Sequence, residues 1–476
     1  MGARGARRWP RRAPVVAVLL LTAAAMLPGG AGAEQASQPS SPAAGWMTTG
    51  AYHSCAVVSA AVRCWGYGGN GQLGYGDLTS VGDDDEPGSF GPVDFGPGRA
   101  AIAISAGNVH TCALVDDGAG AAGDGVVHCW GFGGNGRLGY GNTAIVGDNE
   151  TPGSVGPVDL GAGRTARAIS AGDGHSCAVL DDGRLRCWGF GLDGRLGLND
   201  VDDVGDDESP GSRGPIDFGE GLTVTAVAAG GSHTCAILDD GTVRCWGFGG
   251  NGRLGYGNIR DVGRGCLIPA GQTVCQPNPD APRTDTVGPV DLGPGRTAKA
   301  ITAGVGHTCA VLDDDTVRCW GAGASGRLGY GATDTIGDTE TPGTVPPVDL
   351  GAGRTARAIS AGNDHTCAIL DDGSVRCWGF GAFGQLGYGD SRAIGDNETP
   401  GTVGPVDLGP GRTATAISAG GLHTCARLDD GSVRCWGYGA NGRLGYCSET
   451  TIGDNETPGS AGPVALGQPG IEADGC

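Results

Sequence analysis

No segment of this chain of 476 residues carries apolar residues at a helical period, which points away from α and α/β folds. Beyond Ala13 to Leu27, no stretch is apolar for long enough to cross a bilayer. Cations are scarce. The chain has 31 Lys and Arg against 52 Asp and Glu, and its net charge of −21 repels nucleic acid and anionic lipid. Metal-type spacing is missing as well: the 18 cysteines include no Cys-x2-Cys pair, so zinc lacks its usual ligand set. What the chain holds in excess is glycine, 97 residues of it. These sit at recurring turn positions between short Val/Ile/Leu/Trp segments and punctuate an all-β fold.

The phrase His-Ser/Thr-Cys-Ala begins at His53, His110, His175, His233, His307, His365 and His423. Cys-Trp-Gly follows each copy, at Cys64, Cys129, Cys187, Cys245, Cys319, Cys377 and Cys435. Trp130, Trp188 and Trp246 are 58 residues apart, as are Trp320, Trp378 and Trp436. Such a period means one supersecondary unit copied and stacked. Within one unit, strands are expected at Arg357–Ala361, His365–Leu370 and Ser374–Trp378, with a fourth near Pro405–Leu408. Asp371-Asp372-Gly373 forms a three-residue hairpin loop that ends in a left-handed glycine. Blade five has Asp315 there, a residue that tolerates this conformation better than most.

Pairing across that loop sets Cys367 opposite Cys377, within disulfide reach. The same arithmetic pairs Cys55 with Cys64, Cys112 with Cys129, Cys177 with Cys187, Cys235 with Cys245, Cys309 with Cys319 and Cys425 with Cys435. Two pairs remain. Cys266 and Cys275 staple a 16-residue insertion in blade four, and Cys447 with Cys476 pins the C-terminal tail. Each short-loop bridge is worth about 2–3 kcal/mol.

Disulfides require an oxidising compartment, and the N-terminus offers the route. Arg4, Arg7, Arg8, Arg11 and Arg12 precede the apolar stretch, and Ala31-Gly32-Ala33 follows as a small-residue cleavage site. Residues 1–33 are therefore expected to be a signal peptide, 34–45 a flexible leader, 46–467 the propeller and 468–476 a tail. The expected location is secreted, periplasmic or cell surface. Removal of the leader takes five arginines and no acid, which changes −21 to −26. An acidic loop recurs at Asp83–Glu86, Asp148–Glu150, Asp206–Glu208, Asp338–Glu340, Asp396–Glu398 and Asp454–Glu456. It is expected to be a solvated loop paired with arginines at 137, 195, 253, 327 and 443 or at 164, 296, 354 and 412. Calcium on these oxygens is the lesser reading, since calcium loops alternate more ligands more tightly. No cofactor is expected.

The unit A-I-S-A-G-x-x-H-T-C-A-x-L-D-D-G-x-V-x-C-W-G-x-G-x-x-G-Q/R-L-G-Y-G resembles the regulator of chromosome condensation repeat, over about Trp46 to Gly467. The resemblance implies a seven-bladed β-propeller in which terminal strands, here Trp46–Thr49 and Pro463–Leu466, close the ring. Cross-strand cysteines are not part of that family's usual pattern, and an export signal excludes a nuclear role. The founding member's guanine-nucleotide exchange is accordingly not carried over.

Catalytic readings are weak in this frame. Gly-x-Gly-x-x-Gly, as at Gly131–Gly136, opens no helix to face a pyrophosphate and is read as a turn. The seven histidines are equivalent, hence structural, and the repeat tryptophans are core. Function is sought where symmetry breaks. The clearest break is 261–286, where Arg264, Leu267, Ile268, Gln272 and Asn278 are the candidate binding residues on a pre-ordered protrusion. The expectation is a non-enzymatic, monomeric, all-β seven-bladed β-propeller with one hairpin disulfide per blade, which binds a protein partner. The alternatives are a secreted inhibitor of the β-lactamase-inhibiting type, by likeness of fold alone, and a self-assembling extracellular structural protein.

Overall fold

The computed structural model describes residues 45–118, 123–219, 221–267, 276–278, 280–468 and 470–471. The expected signal peptide and nearly all of the leader lie outside these residues. Seven three-stranded antiparallel sheets follow one another along the chain, and their inner strands line a central channel. In blade six the strands are Ala356–Ala361, His365–Leu370 and Val375–Gly379, from the channel outwards. Cys367 stands opposite Cys377. Leu370 N–H donates to the Ser374 carbonyl at 2.8 Å, so the cysteines fall on a non-hydrogen-bonded pair, where the chains come closest. All seven expected hairpin bridges are present, with Cα separations of 4.0–4.1 Å. Cys266 and Cys447 are disulfide-bonded too, while Cys275 and Cys476 fall outside the described residues. Gly373 has φ 81° and Asp315 φ 65°, as the loop geometry requires.

The fourth strand is absent among the described residues. Near Pro405–Leu408 a single backbone bond to the blade's outer strand forms, Val406 N–H to the Val375 carbonyl at 2.9 Å, while the Asp407 carbonyl accepts from Gly459 of the next segment. The reason lies on the edge of the outer strand. In blade one, Val62 accepts from Val93, and Gly66 exchanges both its backbone bonds with Val81. Between them, the Tyr75 hydroxyl takes the N–H of Cys64 and donates to its carbonyl, both at 2.9 Å. Three short segments thus satisfy the edge that a strand would otherwise cover. Blade three has Leu198 in place of this tyrosine.

The terminal segments also share no sheet. Met47–Thr49 is the inner strand of blade one, and Val464 bonds the outer strand of blade seven. Closure comes instead from the bonds that join every blade to the next. Each histidine Nε2 meets a hydroxyl of the following blade: His53 to Thr111 at 2.7 Å, His365 to Thr424 at 2.8 Å, and His423 back to Ser54 at 2.8 Å. The hydroxyls donate their one hydrogen to a backbone carbonyl, Thr111 to Gln72 and Ser54 to Arg443, both at 3.0 Å. The hydroxyl must therefore accept from the imidazole, which places a proton on Nε2; Nδ1 is buried with no hydrogen-bond partner, so burial favours the neutral ring. On the channel side, inner-strand hydroxyls accept N–H bonds across the same joints, for example Thr48 from Ala106 at 2.9 Å and Ser418 from Thr49 at 3.0 Å.

All seven repeat histidines are fully buried. Burial lowers His53 and His365 from 6.5 to about 3, and the other five fall well below 6.5. The unfolded chain takes up these protons before the folded one does. For His53 and His365 the stability contributed is therefore complete above pH 6.5 and falls as pH drops towards 3, by about 1.4 kcal/mol per pH unit per histidine, and the other five act in the same direction. Denaturant midpoints measured between pH 7 and pH 4 should decline steadily, with a shallower slope for His365→Gln, which keeps an N–H donor. A midpoint that does not move over this range would contradict the neutral ring.

Candidate functional site

The channel is narrow, about 90 Å³, and is lined by Gly, Ala, Ser and Thr of the inner strands. Its hydroxyl oxygens accept backbone N–H bonds from the neighbouring blades. Chemistry of another kind gathers at one end of the ring, where inner strands turn into middle strands and outer strands end. The residue after each Cys-Trp-Gly lies here: Tyr67, Phe132, Phe190, Phe248, Ala322, Phe380 and Tyr438. Five residues further on stands an arginine, at 137, 195, 253, 327 and 443, or a glutamine, at 72 and 385.

Each arginine ties its own turn to the next blade. Arg253 Nε donates to the Gly250 carbonyl at 2.9 Å, and Nη1 to the Val305 carbonyl of blade five at 2.8 Å. Arg137 does the same to Gly134 and Asp173, and Arg443 closes the ring through the Ala51 carbonyl at 3.0 Å. The guanidinium planes lie over aromatic rings: Arg137 on Phe132 at 5.0 Å, Arg195 on Phe190 at 4.8 Å, Arg253 on Phe248 at 4.9 Å, and Arg443 against both Tyr438 and Tyr52. Burial pushes these four guanidiniums below their ordinary pKa, yet they stay charged at neutral pH.

Of eight exposed large apolar residues among the described residues, six lie at this end: Tyr52, Leu78, Phe132, Leu192, Phe248 and Ile259. Leu78 and Ile259 belong there because their segments pack against Gly68 and Gly249, in the turns that follow the outer strands. Sequence reading missed this face, since the position after Cys-Trp-Gly reads as a variable place in the repeat. The available signal was the change from Trp, fully buried in every blade, to an adjacent aromatic separated from it only by glycine.

The predicted insertion rises beside the same face. Arg264 is ion-paired to Asp261 at 2.8 Å and lies 3.9 Å from Asp193 of blade three, so it anchors the insertion's base. Cys266–Leu267 and Gln276–Pro277 form a short antiparallel pair, and Asn278 N–H donates to the Gly265 carbonyl at 3.0 Å. Ile268 and Gln272 lie outside the described residues.

The acidic loops do not find the partners expected for them. Arg164, Arg296, Arg354 and Arg412 pair with the hairpin aspartates at 181/182, 313/314, 371/372 and 429/430. The turn before each inner strand meets the hairpin loop at the opposite end of the blade, which takes these arginines away from the acidic loops. Carboxylates crowd together at Asp83, Asp84 and Asp85 and again at Asp206, Asp207 and Glu208. Burial and acidic neighbours raise the pKa of Asp85 and Glu208.

A family model described as the RCC1-like domain matches residues 61–466. The ultraviolet-B receptor UVR8 of Arabidopsis thaliana is 31% identical over 402 residues, which cover 84% of this chain and 78% of the receptor. The human E3 ubiquitin-protein ligase HERC2 is 29% identical over 331 residues, 68% of this chain but 6% of the ligase. Among solved structures, yeast RCC1 bound to Kap60 superposes with TM-score 0.60 at 20% identity and 83% coverage of both chains. Human WBSCR16 superposes with TM-score 0.61 at 19% identity, covering 86% of this chain and 95% of the other.

The arginine ties carry a stability prediction. Arg443→Ala removes the charge-assisted bonds across the closing joint and should cost about 2–3 kcal/mol in equilibrium unfolding. Arg443→Gln should cost less, because glutamine already occupies this place at 72 and 385.

Proposed function

Because the chain belongs to the RCC1-like domain family, we propose that it is a protein-binding module that docks its partner on the arginine–aromatic face and works outside the reducing cytosol. The observation that carries the reading is the segregation of exposed large apolar side chains, six of eight among the described residues, to one end of the ring. Aromatic residues and arginine are the types enriched at the centres of protein interfaces, and rigid rings bury area at little entropic cost. The opposite end presents aspartate pairs already neutralised by arginine, which leaves little for a partner to gain there. A protein of the same fold, yeast RCC1, is seen bound to Kap60. Work outside the cytosol is supported by the seven buried hairpin disulfides and by the export-type leader of residues 1–33. The base of the insertion, Asp261 with Arg264, lies beside this face, and Asn278 would add contacts to a partner docked there.

Partner capture should be lost in the double variant Phe132→Ala/Phe248→Ala, whose side chains are 37% and 36% exposed, and retained in Lys299→Ala at the opposite end. Equal capture by all forms, or recovery of the propeller alone, would remove the docking face. The mature N-terminus, read by mass spectrometry, should begin at Glu34.

A further inference from the structure

The residue before each repeat histidine faces the arginine or glutamine of the preceding blade. In blade six this residue is Asp364, whose carboxylate lies 2.5 Å from Arg327 Nη1. In blades three and five the same position is Gly174 and Gly306, reached by Arg137 and Arg253. Arg137 and Arg253 are only 9% and 7% exposed, and neither has a carboxylate within 4.0 Å among the described residues. A Cβ built on Gly306 would lie 3.9 Å from Arg253 Nη2 and 3.8 Å from Arg327 Nη1. Gly174 likewise would place one 4.0 Å from Arg137 Nη2. Within this arginine series Arg327 contacts Asp364, and Arg195 contacts its own turn's Asp193 at 3.4 Å. Asp173 and Asp203 act on Arg137, and Asp193 and Asp261 on Arg253, only at longer range, so beside Gly174 and Gly306 a direct carboxylate contact is left to be supplied from outside.

We propose that Arg253 with Gly306, and Arg137 with Gly174, are carboxylate-receiving sites of the docking face, and that the partner is a protein segment presenting Asp or Glu side chains. The proposal rests on the docking reading above. Nε and one Nη1 hydrogen of each guanidinium are held by backbone carbonyls, which fixes its plane and leaves Nη2 for an acceptor. The adjoining Phe132 and Phe248 rings exclude water from one side of that contact. The chain's net charge of −21 opposes an acidic ligand only at long range, because screening sets in over about 10 Å at 0.1 M salt while a desolvated contact escapes it.

The probe is a fluorescent peptide of alternating Glu and Phe, compared with the same peptide carrying Gln for Glu. The Glu peptide should bind about tenfold more tightly than the Gln peptide. Arg253→Gln should remove most of that preference with the melting temperature nearly unchanged, since Gln72 and Gln385 show that the fold accepts glutamine there. Gly306→Asp supplies the carboxylate from within: it should weaken Glu-peptide binding and raise the melting temperature, whereas Gly306→Asn should do neither. The backbone at Gly306 is not left-handed and its nearest neighbour, Ala322 Cβ, would be 3.7 Å away, so both variants can fold. No binding of the Glu peptide, equal binding of the Gln peptide, or Gly306→Asp behaving as wild type would each overturn the proposal. If Phe132→Ala/Phe248→Ala still abolishes partner capture in that case, the docking face stands and only the carboxylate chemistry falls.

Discussion

The hydrogen bond between each repeat histidine and a hydroxyl of the next blade is the contact on which the ring depends. A propeller blade buries little by itself; its sheet must lie against two neighbours, and the seventh must meet the first. Here each joint has the same polar fastener, buried where water cannot compete, and its geometry fixes a proton on Nε2. Thr111 gives its hydrogen to the Gln72 carbonyl and so can only accept from His53. Three blade-borne groups therefore agree at every joint: an imidazole, a hydroxyl, and the carbonyl of the turn that carries the arginine or glutamine. That carbonyl links the hidden fastener to the exposed face, because the residue that supplies it also supplies the guanidinium.

The outer edge of each blade shows a second use of the same economy. A fourth strand would need a continuous run of backbone donors and acceptors, and in every blade but the third the sequence instead brings a tyrosine hydroxyl to the Cys position of the outer strand. The bridge on the inward side and the hydroxyl on the edge hold the same residue from two directions. The chain between them is free to carry the acidic loops, whose Pro-Gly-Ser/Thr turns are held by the outer-strand arginine, as Arg376 holds the Pro400 carbonyl at 2.7 Å. In blade two His128 takes that arginine's place and bonds the Pro152 carbonyl at 3.1 Å, which explains the one histidine outside the repeat phrase.

Much of this was legible in the sequence, for definite reasons. Strand pairing follows from loop length, so Asp-Asp-Gly alone placed Cys367 opposite Cys377 and, by repetition, six further pairs. Local rules also gave the left-handed Asp315. Contacts between distant turns were not legible. The pairing of Arg354 with Asp371 and Asp372 depends on which end of the blade each turn occupies, and Tyr75 reaches Cys64 by folding back across its own outer strand. The insertion drew attention because it breaks the repeat in length. The differences at 174, 306 and 364 are single-residue substitutions within it, and they acquire meaning only when the facing arginine is known.

Symmetry is broken most at the joint between blades four and five. Its channel-side hydroxyl is missing, because Ala228 stands where Ser170 and Thr302 donate an acceptor to their neighbours. Its face-side arginine, Arg253, meets glycine in place of a carboxylate, and its blade carries the insertion instead of the acidic loop. The joint keeps the His233–Thr308 bond at 2.8 Å and the Arg253 tie to Val305, so it remains closed, though with fewer polar fasteners than its neighbours. A ligand that supplies an acid at Gly306 would add to this joint from outside the contact that blade six has from within. On the proposed docking, recognition and ring closure would meet in one guanidinium, whose backbone bonds serve the fold and whose remaining edge is left for a partner.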